Sequence, residues 1–179
     1  MKTGLVSHEA CLKHLPPPGH PESADRLKAV LAALSAPEFL ALRHYEAPRA
    51  TREALIAVHH PAHVDAILGV LNEKAQQDGY AVIDPDTIMS PGSAEAALRA
   101  AGAGSRAGER GANGEMQNAF CAVRPPGHHA PQDRAMGFCL FNNVAVGAIY
   151  ARKIRSFERI AVMDFDVHHG NGTEDIFRN

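Results

Sequence analysis

The sequence predicts an α/β domain with a mainly parallel sheet flanked by helices. Short apolar runs alternate with longer amphipathic segments along the chain, which is the order expected of successive βαβ units. At 179 residues the chain is long enough for one globular domain with its own core. We find no internal repeat, low-complexity tract or linker that would divide it.

The predicted elements follow from hydrophobic periodicity and from Gly/Pro punctuation. Strands are expected at 3–7, 42–47, within 78–93, at 118–123 and at 159–166. Helices are expected at 24–34, 51–58, 61–71, 93–108 and 142–154. Thr51 suits an N-cap and Pro61 a first helical residue. On the first helix, the core-facing positions are predicted to be Val30, Leu31 and Leu34.

Composition narrows the class of protein. The chain is 45% hydrophobic, with a formal net charge of -2 and a pI near 6.6, so neither nucleic acid nor an anionic membrane is indicated as a partner. Three cysteines, Cys11, Cys121 and Cys139, are odd in number and irregularly spaced, which favours a reducing compartment. With no signal peptide or membrane-spanning run in this sequence, a soluble cytoplasmic protein is expected.

Eleven histidines are the unusual feature of the sequence, and six of them form doublets at 59–60, 128–129 and 168–169. Two of these doublets lie in loops that follow predicted buried strands. In open α/β sheets, ligands bind outside the carboxyl ends of the strands. The helix at 142–154 would connect the two strands, so we expect them to be neighbours through a right-handed crossover.

The segment DFDVHHGNG, which begins at Asp164, has the pattern of a metal site. In an extended chain, Asp164, Asp166 and His168 share one face. Adjacent carboxylates repel each other unless a cation lies between them. With an imidazole beside them they form a nitrogen–oxygen set suited to Zn²⁺ or another first-row metal. A single such residue would more often cap a loop, but the cluster favours a metal or catalytic site.

The other loop, RPPGHHA, holds His128 and His129 behind a rigid Pro-Pro-Gly turn. Tandem histidines positioned in this way suggest acid–base groups, although either one is also a possible ligand. Taken alone, the His128–His129 doublet is as compatible with a purely structural role as with a catalytic one. His59 and His60 precede a proline and are predicted to be surface or packing residues, while Cys139 is predicted to be a small buried hydrophobe.

These motifs resemble the histone deacetylase and acetylpolyamine amidohydrolase superfamily, in particular its class II-like bacterial members. The resemblance implies an arginase-related α/β fold with a parallel sheet, and hydrolysis of an acetamide to acetate and an amine. It covers nearly the whole chain, with the motifs in family order. They are GHPESADRL, VHHPAHVDAI, DPDTIMSPGS, RPPGHHA, GFCLFNNVAVGA and AVMDFDVHHGNGTEDIF.

Residue roles come from this resemblance, motif by motif. It implies that Asp166 and His168 are two zinc ligands. It implies that His128 is the general base, oriented by Asp164, and that His129 is the second histidine. The orienting partner of His129 would be Asn171.

Further roles concern substrate and a second metal. Gly137 and Phe138 would line the tunnel that holds the acetylated side chain. Asp164, together with the two zinc-ligand residues, would help to build a structural potassium site, partly through main-chain carbonyls. One carboxylate of Asp84 and Asp86 is a candidate substrate guide at the rim.

The family pattern also contains a third zinc ligand, an aspartate, and a tyrosine or histidine that polarises the acetyl carbonyl, both downstream of this chain. We therefore expect residues 1–179 to be the N-terminal part of a single deacetylase domain, incomplete at the C-terminus and inactive alone. The chain is expected to oligomerise or to bind a complementary C-terminal half. The substrate would be acetyl-lysine or a small acetylated amine.

Two alternatives remain open at this point. One is a non-catalytic module that binds an acetylated ligand or a partner, which the missing third ligand favours. The other is an arginase-like di-manganese ureohydrolase, which the Pro-Pro-Gly-His-His motif disfavours.

Overall fold

The computed structural model describes residues 2–155 and 157–178. Its strands are β1 (Thr3–Ser7), β2 (Arg43–Glu46), β3 (Ala81–Asp84), β4 (Thr87–Met89) and β5 (Asn118–Ala122). Its α-helices are α1 (Ala24–Ala33), α2 (Arg52–Ile56), α3 (Pro61–Leu68), α4 (Val70–Asp78), α5 (Ser93–Ala112), α6 (Asn143–Arg155) and α7 (Asn171–Phe177). Two short 3-10 helices span Glu9–Leu12 and Pro37–Phe39.

A three-stranded parallel sheet organises the fold, in the order β2-β1-β5. Successive side chains of β1 point to opposite faces of the sheet, and both faces are covered by helices. Leu5 packs with Leu27 of α1 on one face, and Val6 packs with Ala103 of α5 on the other. β3 and β4 form a separate antiparallel pair. The predicted α/β class, with a mainly parallel sheet flanked by helices, is therefore confirmed.

Helices α5 and α6 pack closely because two glycines meet at their contact. A Cβ added to Gly104 would lie 3.2 Å from the Cα of Gly147, so a larger residue at either position would separate the helices. The largest core cluster lies on this side of the sheet. Among its fully buried members are Leu55, Val64, Ile67, Met89, Leu140 and Phe141.

Most predicted elements are present, with shifted ends. Thr51 caps α2 by accepting a hydrogen bond from the backbone N–H of Ala54 at 3.2 Å. The helix predicted at 61–71 instead ends at Leu68, and α4 begins after Gly69. Val30, Leu31 and Leu34 pack against the core as predicted. Among the helices described, none has the length and apolar composition needed to cross a membrane.

The buried strand predicted at 159–166 is wrong for this structure. The segment forms no strand, and all eight of its residues are exposed. Its apolar residues Ile160 and Val162 line a cavity beside α6, together with Gly147 and Ala148. A parallel strand normally has both faces covered, whereas the residues of this segment are exposed although they lie beside α6. The expected strand-to-strand crossover through α6 is consequently absent as well.

Candidate active site

Two histidines, each hydrogen-bonded to its own partner, lie side by side where the loop after β5 meets the loop before α7. His128 Nδ1 lies 2.8 Å from Asp164 Oδ2, and His129 Nδ1 lies 2.7 Å from Asn171 Oδ1. The two imidazole centroids are 4.1 Å apart. The four residues predicted to act together are thus brought together, even though the strand predicted at 159–166 does not form.

These partners assign the imidazole protons. A carboxylate oxygen and an amide oxygen accept, so Nδ1 donates in both rings and each Nε2 keeps its lone pair in the neutral form. The amide orientation of Asn171 agrees, because its Nδ2 lies 3.5 Å from the carbonyl oxygen of His129. The hydrogen bond from His128 lowers the pKa of Asp164, so the Asp164 carboxylate stays ionised near neutral pH.

The start of α7 holds the His128–His129 loop in place. The backbone N–H groups of Gly172 and Thr173 both donate to the carbonyl oxygen of His128, at 3.0 and 3.1 Å. A Cβ at Gly172 would lie 2.6 Å from the carbonyl carbon of His129, so only glycine permits this approach. The Gly-Asn-Gly turn therefore positions Asn171 beside its histidine.

Asp166 and His168, the predicted zinc ligands, lie next to His129. Asp166 Oδ1 is 3.1 Å from His168 Nδ1, and the His168 ring centroid is 6.1 Å from that of His129. In the structure this contact is a hydrogen bond. Its length is near the roughly 3.4 Å that separates two ligands of one tetrahedral zinc ion. A hydrogen bond from the backbone N–H of His168 lowers the pKa of Asp166, which favours an anionic ligand.

Among the residues that the structure describes, no third donor completes a metal site with these two. Within residues 2–155 and 157–178, no group of three or more His, Cys, Asp and Glu side chains is placed to hold a metal ion. Asp164 contributes its Oδ1 to the same turn, accepting from the backbone N–H of Asp166 at 3.1 Å. A catalytic zinc site normally has three protein ligands, so this donor set fits part of one.

Gly137 and Phe138 form a tight turn against the second histidine. Both have positive φ, 56° and 67°. A Cβ at Gly137 would lie 2.5 Å from Cδ2 of His129. The backbone N–H of Phe138 donates to Thr87 Oγ1 at 3.0 Å, and its ring contacts that of His20 edge-on at 5.0 Å. The turn thus lies beside His129, as a substrate-lining role requires.

Asp84 is the last residue of β3, and Asp86 lies in the turn between β3 and β4. Asp84 Oδ1 accepts from the backbone N–H of Asp86 at 3.1 Å. The carbonyl oxygen of Asp86 accepts from His20 Nε2 at 3.0 Å, and its Oδ1 accepts from the Thr87 hydroxyl at 3.0 Å. Through His20 and Thr87 this hairpin contacts the Phe138 turn.

Sequence reasoning missed the ion pair beneath the histidine loop. Arg124 is fully buried, and its Nε donates to Glu22 Oε1 at 2.9 Å. Its Nη1 donates to the carbonyl oxygens of Cys11 and His14, at 2.8 and 2.6 Å. Arg124 precedes Pro125 through a cis peptide bond. A charged residue at the end of a predicted buried strand was the available signal, because a buried guanidinium needs a buried partner.

Other predicted features lie where expected. His59 is buried and His60 is exposed, consistent with packing and surface roles. Cys11, Cys121 and Cys139 are free thiols. Burial raises the pKa of Cys139 to about 12, so this thiol is an inert apolar neighbour of the site.

Known proteins share the sequence pattern and the fold of this chain. Residues 20–179 match the family described as the histone deacetylase domain. A probable deacetylase of Archaeoglobus fulgidus is 38% identical over 182 residues, and a histone deacetylase-like amidohydrolase of Pseudomonas aeruginosa is 41% identical over 157 residues. The crystal structure of the HDA15 HD domain superposes with a TM-score of 0.88 at 37% sequence identity.

The matches cover most of this chain but only part of each relative. They include 100% of the chain for the Archaeoglobus protein, 88% for the Pseudomonas protein and 98% for the HDA15 structure. The corresponding shares of those proteins are 49%, 40% and 49%. The chain therefore spans about half the length of these relatives.

Proposed function

The chain belongs to the histone deacetylase family, and from this membership we propose that the complete protein is a zinc-dependent amidohydrolase. Its substrate would be an acetylated amine such as acetyl-lysine or an acetylpolyamine, and its products acetate and the free amine. The observation that carries the proposal is the adjacent pair His128–Asp164 and His129–Asn171, with Asp166 and His168 beside it.

The chain's own residues provide a base and a proton carrier. With Nδ1 donating to the Asp164 carboxylate, Nε2 of His128 is free to take a proton from water, and the carboxylate stabilises the resulting imidazolium. His129 faces a neutral amide instead, so the two histidines differ in electrostatic environment. Such differences separate acid and base roles in paired groups.

Asp166 and His168 are the residues that would hold zinc. When bound, zinc would act as a Lewis acid on the acetyl carbonyl and lower the pKa of a bound water. Asp164 would take part in a potassium site, as the resemblance implies. Gly137 and Phe138 would line the acyl-binding tunnel, and a carboxylate of Asp84 or Asp86 would guide the substrate.

We propose that residues 1–179 form the N-terminal part of a single deacetylase domain. The third zinc ligand and the carbonyl-polarising residue would then come from the half of the relatives that this chain does not match. The 179-residue chain alone would be inactive and would oligomerise or bind its complementary half. The free cysteines support a cytoplasmic location, and the composition gives no basis for direct nucleic-acid binding.

The second candidate function is a non-catalytic module that binds an acetylated ligand or a partner. It is favoured for the isolated chain by the lack of a three-residue metal cluster among the described residues. The arginase-like alternative loses its support, because the matched family is that of the deacetylases.

Acetate release by the complete protein tests the proposal. We expect an acetyl-lysine peptide or acetylputrescine to yield acetate and free amine in equal amounts. The His128→Ala variant should be slower by about 10²–10⁴-fold, the usual contribution of general base catalysis. His60→Ala alters an exposed histidine and serves as the matched control. Binding of either compound without acetate release would support the non-catalytic module instead.

A further inference from the structure

The Gly137–Phe138 turn lies in an irregular loop, residues 131–142, which connects the histidine doublet to α6. A non-glycine residue with positive φ, such as Phe138, is held there only when its surroundings fix it. Thr87 contributes one such contact at the tip of the loop. The two ends of the loop need contacts of their own, and both lie against the segment that joins α2 and α3.

His59 bonds to both ends of the loop. Its Nδ1 donates to the carbonyl oxygen of Pro131 at 2.9 Å, and its Nε2 accepts from the backbone N–H of Asn142 at 2.9 Å. The backbone N–H of His60 adds a bond to the carbonyl oxygen of Gln132 at 2.8 Å. His59 is 2% exposed, so water does not replace these bonds easily.

His63, one turn further along, holds the same side of the loop. Its Nε2 donates to the carbonyl oxygen of Leu140 at 2.9 Å. The rings of His59 and His63 are 5.2 Å apart, and both pack on the buried ring of Phe141, at 5.6 and 5.7 Å. The two imidazoles therefore meet three backbone groups of one loop, at Pro131, Leu140 and Asn142.

We propose that His59 and His63 are positioning residues that clasp the ends of loop 131–142 and thereby fix the Gly137–Phe138 turn against His129. Burial alone would be served by leucine at both positions. The hydrogen bonds instead use a donor and an acceptor of His59 and a donor of His63. Neutral imidazole offers the donor and the acceptor on two separate atoms of one rigid ring, so His59 can bond to both ends of the loop at once.

The clasp also reaches the second histidine pair. The side-chain Nδ2 of Asn142, whose backbone binds His59, donates to the carbonyl oxygen of Ala130 at 3.1 Å and to Thr173 Oγ1 at 3.2 Å. Thr173 belongs to α7, whose first residue is Asn171, the partner of His129. Loosening His59 is therefore expected to disturb the orientation of His129 as well as the turn.

Limited proteolysis of the complete protein tests the clasp without any assay of activity. Arg134 is an exposed trypsin site inside the loop, and Lys28 on α1 is an exposed site on the other face of the sheet. His63→Leu should raise cleavage after Arg134 roughly tenfold relative to cleavage after Lys28, the effect of losing about one buried hydrogen bond. His59→Leu, which loses two such bonds, should raise it further. His63→Gln, whose amide can still donate, should stay near wild type, as should His60→Asn.

Kinetics then test the consequence, which rests on the proposed deacetylase function. With an acetyl-lysine peptide, His63→Leu should raise KM roughly tenfold with kcat changed by less than about threefold, since the turn contacts substrate and not the reacting water. His63→Gln should restore KM. His59→Leu should raise KM and lower kcat together, because it also reaches His129.

Two results would overturn the clasp. Equal acceleration of cleavage at Arg134 and Lys28 would mean that the histidines support only global stability. Unchanged cleavage at Arg134 in both leucine variants would mean that other contacts hold the loop. A complete protein that shows the proteolysis pattern but releases no acetate would contradict the proposed function and leave the clasp standing.

Discussion

His129 donates its Nδ1 hydrogen to the side-chain oxygen of Asn171 across 2.7 Å, while the neighbouring His128 donates to a carboxylate. The two contacts have nearly the same length but differ by one negative charge. The site therefore contains two similar imidazoles, one hydrogen-bonded to a charged partner and the other to a neutral partner.

Removing the neutral partner should misorient the second histidine. We expect Asn171→Ala in the complete protein to lower kcat by about 10–100-fold, the range typical of residues that orient a metal-site or catalytic histidine. Asn113→Ala changes an exposed asparagine far from the site and is the matched control. Steady-state kinetics with an acetyl-lysine peptide measure the effect, and a kcat equal to that of the control would refute an orienting role.

His128 and Asp164 should behave as one catalytic unit. His128→Ala and Asp164→Asn are each expected to reduce kcat/KM by a similar factor, within the general range of about 10²–10⁴. Residues that act together lose their effect together, so the double variant should be little slower than either single one. A loss in the double variant equal to the product of the two single losses would show independent action.

Two buried histidines should make stability depend on pH. Burial lowers the pKa of His14 and of His59 to about 4, from an ordinary value of 6.5. His14 faces Glu22 and Arg124, and His59 faces His63. In the unfolded chain these two histidines bind protons near pH 6.5, whereas in the folded chain they do so only near pH 4. Stability present at pH 7 is therefore lost as pH falls through this window, by up to about 1.4 kcal/mol per pH unit for each histidine.

Urea unfolding of the complete protein at pH 7 and pH 5 measures this loss. His59→Gln removes one titrating group, so the difference in unfolding free energy between the two pH values should shrink relative to the wild type. His60→Gln, at an exposed position, should leave the difference unchanged. A pH dependence identical in the wild type and in His59→Gln would show that His59 does not contribute.

The 179-residue chain alone should self-associate. Met163, Phe165 and Val167 are 88%, 95% and 92% exposed. At about 25 cal/mol per Å² of apolar surface, covering a few hundred Å² is worth several kcal/mol. Light scattering over a concentration series should show oligomers or aggregates, reduced in a Met163→Lys/Phe165→Lys variant. Leu40→Lys, at an exposed apolar residue elsewhere, should have no such effect, and a monomer at all concentrations would contradict the expectation.

Local sequence signals predicted much of the fold. The strand at 3–7, the Thr51 cap and the apolar positions of α1 were available from periodicity and capping rules, and the structure has each of them. The segment 159–166 was not predictable in the same way. Its apolar pattern is that of a buried strand, but a strand also needs neighbours on both faces, which a local pattern does not report.

The partners within the candidate site were predicted only through the family resemblance. His128 and Asp164 are 36 positions apart and His129 and Asn171 are 42 apart, so a local spacing rule would not have paired them. The supporting contacts of Arg124 with Glu22, and of His59 with the loop ends, join residues 102 and 72–83 positions apart. No local spacing rule reaches that far. The available signals were Arg124, a charged residue at the end of a predicted buried strand, and His59, a histidine next to an apolar run.

Zinc content and acetate release, measured together on the complete protein, test whether Asp166 and His168 hold a catalytic zinc ion. We expect the wild type to bind one zinc ion per chain. The Asp166→Ala/His168→Ala variant should lose both the zinc and the acetate release, whereas His60→Ala should keep both. If the double variant still binds zinc tightly and releases acetate at the wild-type rate, Asp166 and His168 are not the zinc ligands.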